Sequence, residues 1–314
     1  MQSVYVLTGL LPKWWRIGLF AHAANFTQGS RMKQVFEAIC AAGNLASAYL
    51  RFAQVRGMWG RGTPMTAMRR NPVKEMLDVA EAIRTGRYQP ELPVKINIQK
   101  ADGTQRQIAV FCVRDRVVQR ALLQVGQQIT ERVFLPSSYG FRPRRGVRHA
   151  INAAAGWVRA GYGHAVDADI RMCFDNIPRR ALMRRVGGLF ADERAARLVA
   201  KCIGAQGDCR DEKGLAQGSC LSPWLCNLYL HSFDASMHSA QVPLVRYADD
   251  FVLFARSRDL AEAALARARG WMDRNGLELH PGKTRLLDPC DSARFLGANL
   301  VRPMLLLASE AAPC

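Results

Sequence analysis

Hairpin and helix patterns both recur in this chain of 314 residues, which predicts an α+β fold. At residues 243–255, apolar β-branched and aromatic residues flank a short polar break, as in a β-hairpin. Two more strands are expected at 94–98 and 107–111, around the turn signal Asp102-Gly103. Residues 72–85 and 259–274 have the apolar spacing of amphipathic helices.

The remaining segments add helices and one strand. Helical spacing is expected over residues 32–56, and two helices are expected between 178 and 207. A strand is expected to end at Asp169, followed by a turn and a helix that begins near Pro178, and a further helix begins at Pro223. Residues 1–35 match no assignable pattern, and Trp14 and Trp15 there suit either stacking on RNA or packing onto the body.

The charge of the chain points to a polyanionic partner. Its 44 lysines and arginines against 26 acidic residues give a net charge of +18 and a pI near 10.1, which favours nucleic acid. The nine cysteines include no C-x-x-C pair, so we expect reduced thiols and no zinc site. No apolar run reaches the roughly 18 residues of a membrane span. We therefore predict a cytoplasmic protein without a membrane partner.

Three carboxylates predict a metal site. Adjacent acids at Asp249 and Asp250 repel each other unless a cation lies between them, although a solvated acidic turn is the alternative for the hairpin alone. Asp169, at the end of a strand, would complete an all-oxygen site for Mg²⁺, and we include the adjoining Ile170 in it. Two Mg²⁺ ions, with Mn²⁺ as a substitute, activate an attacking hydroxyl and stabilise a leaving oxygen in phosphoryl transfer.

Six sequence blocks in order resemble the reverse transcriptases of group II introns. They are Ser-Tyr-Gly-Phe-Arg-Pro at 138–143, Asp169-x4-Phe174, Gln-Gly-Ser-Cys-Leu-Ser-Pro at 217–223, Tyr-Ala-Asp-Asp at 247–250, Leu-His-Pro-Gly-Lys-Thr at 279–284 and Phe-Leu-Gly at 295–297. The resemblance runs from about residue 44 to 297. It implies the fingers and palm of a right-hand polymerase, with the thumb absent or vestigial. The implied domains are an extension at 1–43, fingers at 44–162, palm at 163–300 and a tail at 301–314.

The resemblance also implies a role for each matched residue. The implied catalytic residues are Asp169, Asp249, Asp250 and Lys283, with Lys283 near the leaving pyrophosphate. The implied nucleotide-binding residues are Lys100, Arg106, Phe174, Gln217 and Gly218. Phe174 would exclude a ribose 2′-hydroxyl and so favour deoxynucleotides. The implied nucleic-acid contacts are Arg142, Arg144, Arg145 and Tyr247. Two departures from the family pattern are Gln107, where proline is usual, and His280, where asparagine is usual.

These matches predict an RNA-directed DNA polymerase that uses dNTPs to copy an RNA template into DNA. Only 17 residues follow Gly297, so we expect a structured non-coding RNA, an accessory protein or a second copy of the chain to replace the thumb. Compact enzymes of this type resemble those of anti-phage defence systems and CRISPR-associated loci. A template-independent nucleotidyltransferase and a non-catalytic, maturase-like RNA-binding protein are the alternatives. The intact carboxylates disfavour the second of these.

Overall fold

The computed structural model describes residues 34–99, 103, 105–205, 212–289, 291 and 294–299. Predictions for Trp14, Trp15, Lys100 and the tail at 301–314 lie outside these residues. Two compact units are built from interleaved parts of the chain. The first unit contains residues 1–129, 186–210 and 216–221, and the second contains 130–185, 211–215 and 222–314.

The described elements form a mixture of helices and antiparallel strands, which confirms the α+β prediction. The helices are α1 Gln34–Cys40, α2 Ala42–Leu50, α3 Met65–Met68, α4 Pro72–Arg84, α5 Val113–Thr130, α6 Val147–Arg159, α7 Cys173–Asn176, α8 Arg179–Phe190, α9 Glu193–Gly204, α10 Ser222–Ser239 and α11 Arg258–Arg274. The strands are β1 Met58–Gly60, β2 Thr63–Pro64, β3 Val94–Gln99, β4 Gln105–Val110, β5 His164–Asp169, β6 Leu244–Tyr247, β7 Asp250–Ala255, β8 Arg285–Leu287, β9 Arg294–Phe295 and β10 Ala298–Asn299.

A four-stranded antiparallel sheet is the framework of the second unit. Its strand order is β6-β7-β5-β8, so the predicted hairpin of β6 and β7 lies beside the strand that ends at Asp169. Side chains alternate between the two faces of the sheet. On one face, Val252 and Phe254 of β7 pack with Ala150 and Ala154 of α6. On the other, Phe251 contacts Phe233 of α10.

Local sequence signals explain where several helices begin. In the first unit, Asn71 accepts a hydrogen bond from the backbone N–H of Lys74 ahead of Pro72, so α4 starts with a side-chain cap and a favoured proline. In the second unit, Ser257 caps α11 in the same way through Leu260. The stretch at 32–56 was predicted to be helical throughout; of its described residues, 34–40 and 42–50 form two helices that are separated at Ala41.

The first unit combines helices with the β3–β4 hairpin. The two strands pair from Val94 opposite Val110 to Gln99 opposite Gln105, which confirms the hairpin predicted around Asp102 and Gly103. Every residue of β3 is exposed. No helix among the described residues combines the length and the apolar character that a membrane crossing requires.

Candidate active site

A two-residue turn carries the acidic pair of the second unit. Tyr247 and Asp250 are paired as the last and first residues of β6 and β7, which leaves Ala248 and Asp249 to make the turn. Ala248 has φ +61°, a left-handed value that is uncommon for a residue with a Cβ. Because φ is positive only at the first central residue, the turn has the φ signs of type II′.

Asp169 lies directly across the sheet from this turn. It is paired with Asp250 in the β5–β7 register, and opposed residues in an antiparallel pair have Cα atoms about 4.5–5.5 Å apart. The backbone N–H of Ile170 also donates to the carbonyl of Asp249 at 3.1 Å. Two stretches about 80 residues apart in sequence are thereby brought together by strand pairing.

Negative charge accumulates at this edge of the sheet. Burial, followed by the charges of Asp167, Asp169 and Asp249, raises the pKa of Asp250 from 3.8 to about 7. Asp167, two positions before Asp169, is paired with Arg285 at 3.1 Å, so its charge is partly neutralised within the sheet. Burial is the largest cause of the raised pKa of Asp250, and the neighbouring carboxylates add to it, so a cation at this edge of the sheet would stabilise the ionised form.

Lys283 lies against the carboxylate of Asp169. Its Nζ is 2.5 Å from Asp169 Oδ2, and this hydrogen bond is the largest cause of the raised pKa of Lys283. A tight turn positions the lysine: the backbone N–H of His280 donates to the Asp169 carbonyl at 2.8 Å, and that of Lys283 donates to the His280 carbonyl at 3.1 Å. The His280 ring accepts from the N–H of Gly282 at 3.2 Å, so histidine supports this turn in place of the asparagine usual in the family.

The cluster has the donor chemistry of a Mg²⁺ site. Carboxylate oxygens are the preferred ligands of this ion, and Asp169, Asp249 and Asp250 supply them from two neighbouring strands. Within the described ranges, no three acid, histidine or cysteine side chains are already arranged around one ion position. The Lys283 ammonium supplies a positive charge beside Asp169.

Phe174 belongs to the short helix α7 that follows β5. It is half-buried, and its carbonyl accepts from the backbone N–H of Leu215 at 2.7 Å. The hydrogen bond with Cys226 and burial raise the pKa of the adjacent Cys173 thiol, and the charge of Asp249 adds to this. The start of α7 is therefore within the electrostatic influence of the acidic turn.

Gln217 and Gly218 belong to the first unit, where they contact strand β4. The backbone N–H of Ala109 donates to the Gln217 carbonyl at 2.7 Å. Gly218 has φ +109°, and a Cβ there would lie 2.3 Å from the carbonyl oxygen of Ala109. The close backbone approach that requires glycine is thus made to a strand of the protein itself. Binding of a nucleotide by Gln217 and Gly218 stays a prediction.

Of the two cations predicted to hold a triphosphate, only Arg106 lies within the described residues. It is exposed on β4, opposite Ile98. Gln107, where the family usually has proline, pairs with Asn97 in the same ladder. Arg106 therefore has a free surface position, and its role in nucleotide binding stays a prediction.

The predicted nucleic-acid contacts differ in their surroundings. Arg142 is only 6% exposed and bonds to Glu131 at 2.9 Å and to the carbonyls of Leu135 and Ser138. This arginine braces a loop, which corrects our expectation that it contacts nucleic acid. Arg144, by contrast, is exposed.

Arg145 and Tyr247 are partly accessible. Arg145 donates to the carbonyl of Pro136 at 2.7 Å and stacks over Tyr139. The ring of Tyr247 lies 6.2 Å from that of Phe141, which is itself exposed. Contacts of Arg144, Arg145 and Tyr247 with nucleic acid stay predictions.

Sequence reasoning missed Arg246, the residue just before the acidic turn. It is fully buried and bonds to Asp234, Asn227, Ser138 and the carbonyl of Ala248. The available signal was a charged residue inside the otherwise apolar run that forms β6.

Comparisons with known proteins agree with this arrangement. Residues 98–300 match the family described as reverse transcriptase (RNA-dependent DNA polymerase). Protein YkfC of Escherichia coli (strain K12) is 29% identical over 287 residues, which cover 77% of this chain and 75% of YkfC. The group II intron-encoded protein LtrA of Lactococcus lactis subsp. cremoris is 29% identical over 165 residues, which cover 50% of this chain but only 27% of LtrA.

Solved structures share the fold. Apo telomerase from Candida tropicalis, truncated from the C-terminal domain, matches with a TM-score of 0.54 at 12% identity, over 76% of this chain and 59% of that one. This likeness confirms the fingers-and-palm polymerase architecture. Since the family match covers residues 98–300, well over half of the chain, the protein belongs to the reverse transcriptase family, the enzyme class of RNA-directed DNA polymerases.

Proposed function

We propose that this protein copies an RNA template into DNA by nucleotidyl transfer at the cluster of Asp169, Asp249 and Asp250. The observation that carries the proposal is the pairing of Asp169 with Asp250 across β5 and β7 in a chain of the reverse transcriptase family. Burial, together with the neighbouring carboxylates, raises the pKa of Asp250 to about 7, and a bound cation would relieve the repulsion among these carboxylates.

Asp169 and Asp249 would hold Mg²⁺, with Asp250 completing the negative field around it. The bound ions supply Lewis acidity, which lowers the pKa of an attacking hydroxyl and stabilises the leaving oxygen. The protein side chains would fix the position of the ions, because Asp169 and Asp250 are on paired strands and Asp249 is in the short turn that precedes β7.

Lys283 would neutralise charge on the leaving pyrophosphate. It is 60% exposed and reaches Asp169 from a turn that is anchored to the Asp169 backbone. With Mg²⁺ held by the carboxylates, the Lys283 ammonium would be available to a phosphate oxygen. A lysine there either neutralises that oxygen or donates a proton to it.

Other residues would select the nucleotide. Arg106 and Lys100 would bind the triphosphate through charge-assisted hydrogen bonds. Phe174 would exclude the 2′-hydroxyl of a ribonucleotide by its bulk, while Gln217 and Gly218 would line the nucleotide pocket. A template-independent nucleotidyltransferase, the alternative function, would use the same nucleotide contacts but would need no template.

Primer extension tests the proposal directly. We expect the purified protein with Mg²⁺ to extend a DNA primer on an RNA template, using only the dNTP complementary to the template. Asp249→Asn should lower incorporation by more than about 100-fold, since even outer partners of a metal site are worth about 10–100-fold. Asp259→Asn, an exposed acid in the first turn of α11, is the matched control and should keep full activity.

Each alternative outcome has a definite meaning. Incorporation by Asp249→Asn at the wild-type rate would contradict the assignment of this cluster. Incorporation that ignores the template would support untemplated transfer instead. No product from the wild-type chain with Mg²⁺ or Mn²⁺ would support a non-catalytic, RNA-binding function.

The biological setting that we propose is a dedicated structured RNA in anti-phage defence. The net charge of +18 supports a polyanionic partner, and the defence role is carried by the resemblance described above. Sequencing of RNA that co-purifies with the protein should give one discrete species, and random RNA would contradict the dedicated template. Phage should form fewer plaques on cells that carry the wild-type gene than on cells that carry the Asp249→Asn variant.

A further inference from the structure

Arg246 is a fully buried charge inside an otherwise apolar strand. Side chains alternate along β6, so Val245 and Tyr247 pack with the cluster around α6, while Arg246 lies on the opposite face and bonds to α10. An arginine is almost never buried without partners, because removing its charge from water is costly. The hydrogen-bond partners of Arg246 therefore indicate its role in the structure.

Every N–H group of the guanidinium has an acceptor. Nε and Nη2 bind the two oxygens of Asp234 at 2.7 and 2.6 Å, which makes a bidentate ion pair. Nη1 donates to Asn227 Oδ1 at 2.9 Å, and Nη2 donates to Ser138 Oγ at 2.9 Å. The remaining bond runs from Nη1 to the carbonyl of Ala248 at 2.7 Å. Five donors thus meet five acceptors.

The bond to Ala248 reaches the acidic turn itself. The Ala248 carbonyl belongs to the peptide group that joins Ala248 to Asp249, so holding this oxygen orients the backbone from which Asp249 projects. Ala248 has φ +61°, a conformation that residues with a Cβ adopt only when the surrounding structure imposes it. Arg246 supplies such a constraint.

A second contact holds the other side of the turn. A Cβ on Gly140 would lie 2.5 Å from the backbone nitrogen of Ala248, so the loop at 138–143 packs directly on the turn. Asn227 links the two contacts, because its amide donates to the Gly140 carbonyl at 2.7 Å and its oxygen accepts from Arg246. The turn is fixed from both sides by one connected network.

We propose that Arg246 is a positioning residue for DNA synthesis, which holds the Ala248–Asp249 turn so that Asp249 and Asp250 are aligned with Asp169. The inference rests on the proposed polymerase function. A buried ion pair is seldom more stable than apolar side chains of the same volume, so directional control of the turn is the contribution that apolar residues could not make.

Arg246→Lys is the direct test. Lysine keeps a positive charge for Asp234, but its single ammonium has three donors and cannot form the planar fork that also reaches Ala248. We expect kcat for dNTP incorporation to fall about 100-fold, as for a misplacement of about 1 Å. The KM for dNTP should stay within about threefold, because Arg246 does not face the substrate.

Arg185→Lys is the matched control. Arg185 is partly buried in the second unit and bonds to the Tyr229 carbonyl and to Asn275, and neither hydrogen bond reaches residues 247–250. It should keep the wild-type kcat. An equal loss of kcat in both variants would mean that the effect is general to such substitutions, which would overturn the positioning role.

A second variant distinguishes loss of folding from misalignment of the acidic turn. The double variant Arg246→Met/Asp234→Leu replaces both members of the buried ion pair with apolar side chains, a change that buried sites often tolerate. It also removes the hydrogen bond to the Ala248 carbonyl. We expect a folded protein by circular dichroism whose kcat is still low. If this pair or Arg246→Lys folds and has the wild-type kcat, the inference is wrong.

Hydrogen exchange gives a readout that needs no catalysis. Amides of residues 247–250 should exchange faster in Arg246→Lys than in the wild-type chain or in Arg185→Lys, since the bond that fixes the turn is lost. If the wild-type chain incorporates no nucleotide, the proposed function fails, and this measurement alone decides the positioning role. Unchanged exchange at residues 247–250 would then overturn it.

Discussion

Two residues with left-handed backbone, Gly218 and Ala248, are held by close neighbours. At Gly218 the neighbour is the carbonyl of Ala109, which leaves no space for a Cβ. At Ala248 the carbonyl is bonded by Arg246 and the nitrogen faces Gly140. In both places the sequence motif is explained by a backbone conformation rather than by a side chain that reacts.

Gly218→Ala should destabilise the protein. The new Cβ would meet the Ala109 oxygen and would sit on a residue with φ +109°, so we expect a loss of about 1–3 kcal/mol, typical of imposed backbone strain. Gly188→Ala in the helix α8 is the control, because a Cβ there meets nothing within 4 Å. It should gain about 0.5–1 kcal/mol, as alanine does over glycine in a helix.

Thermal unfolding of the two variants measures this difference. The midpoint should fall for Gly218→Ala and rise or stay level for Gly188→Ala. Equal midpoints in the wild-type chain and Gly218→Ala would mean that the segment at 216–221 moves away from β4 at little cost.

Single residues were predictable where their role is local. Asp115, in the first turn of α5, accepts hydrogen bonds from Tyr88 and Arg114 while fully buried, which is the capping or ion-pair role typical of an acid at that position. Arg142 was not predictable, because nothing in its own segment distinguishes an exposed arginine from one whose charge is neutralised by Glu131. Burial is decided by the fold, not by the neighbouring sequence.

At the scale of elements, the β3–β4 hairpin is a two-stranded sheet in which β3 is exposed along its whole length. It carries Arg106 opposite Ile98. An exposed cation on a hairpin contributes little to the free energy of unfolding. We therefore expect Arg106 to contribute to the binding of a ligand rather than to the stability of the fold.

Arg106→Ala should therefore weaken dNTP binding without weakening the fold. A charge-assisted hydrogen bond to phosphate contributes about 1.5–3 kcal/mol, so the KM for dNTP should rise about tenfold or more. Lys95→Ala, an exposed cation on the same hairpin opposite Ala109, is the control and should keep the wild-type KM. Steady-state primer extension at varied dNTP concentration measures both.

A result with equal KM values for Arg106→Ala and the wild-type chain would remove this arginine from the nucleotide site. A parallel fall in the unfolding midpoint would show instead that the side chain supports the hairpin.

Hairpins were the elements that the sequence predicted best. The β6–β7 and β3–β4 pairs are each made by neighbouring segments with a turn signal between them, so local alternation is enough to find them. The order β6-β7-β5-β8 was not predictable in this way, because β5 and β8 are distant in sequence from their partners. The grouping of Asp169 with the acids of the hairpin was inferred from the chemistry of a metal site and from the family resemblance, not from strand patterns.

For the whole molecule, the excess of basic residues favours association with polyanions such as nucleic acid. A net charge of +18 on 314 residues raises the local concentration of any polyanion and releases its counterions on binding. This attraction is independent of sequence, so selectivity for one template must come from the shape of the RNA or from base contacts.

RNA binding should depend steeply on salt. For about six phosphate contacts to a single strand, affinity should fall roughly 10²–10³-fold between about 50 and 200 mM KCl. Fluorescence anisotropy with a labelled single-stranded RNA measures the slope. A peptide nucleic acid of the same sequence lacks phosphates and should bind weakly at both salt concentrations. A salt-independent affinity for RNA would show that base stacking, not charge, dominates.

The network around Arg246 has a consequence for protein engineering. The acidic turn is only four residues long, but the groups that hold it come from the loop at 138–140 and from Asn227 and Asp234 on α10. A designer who grafts the turn into another scaffold must therefore carry over fragments from three separate stretches of chain. Directed evolution faces the same constraint, because an exchange at Arg246 leaves the charge of Asp234 without its partner until Asp234 also changes.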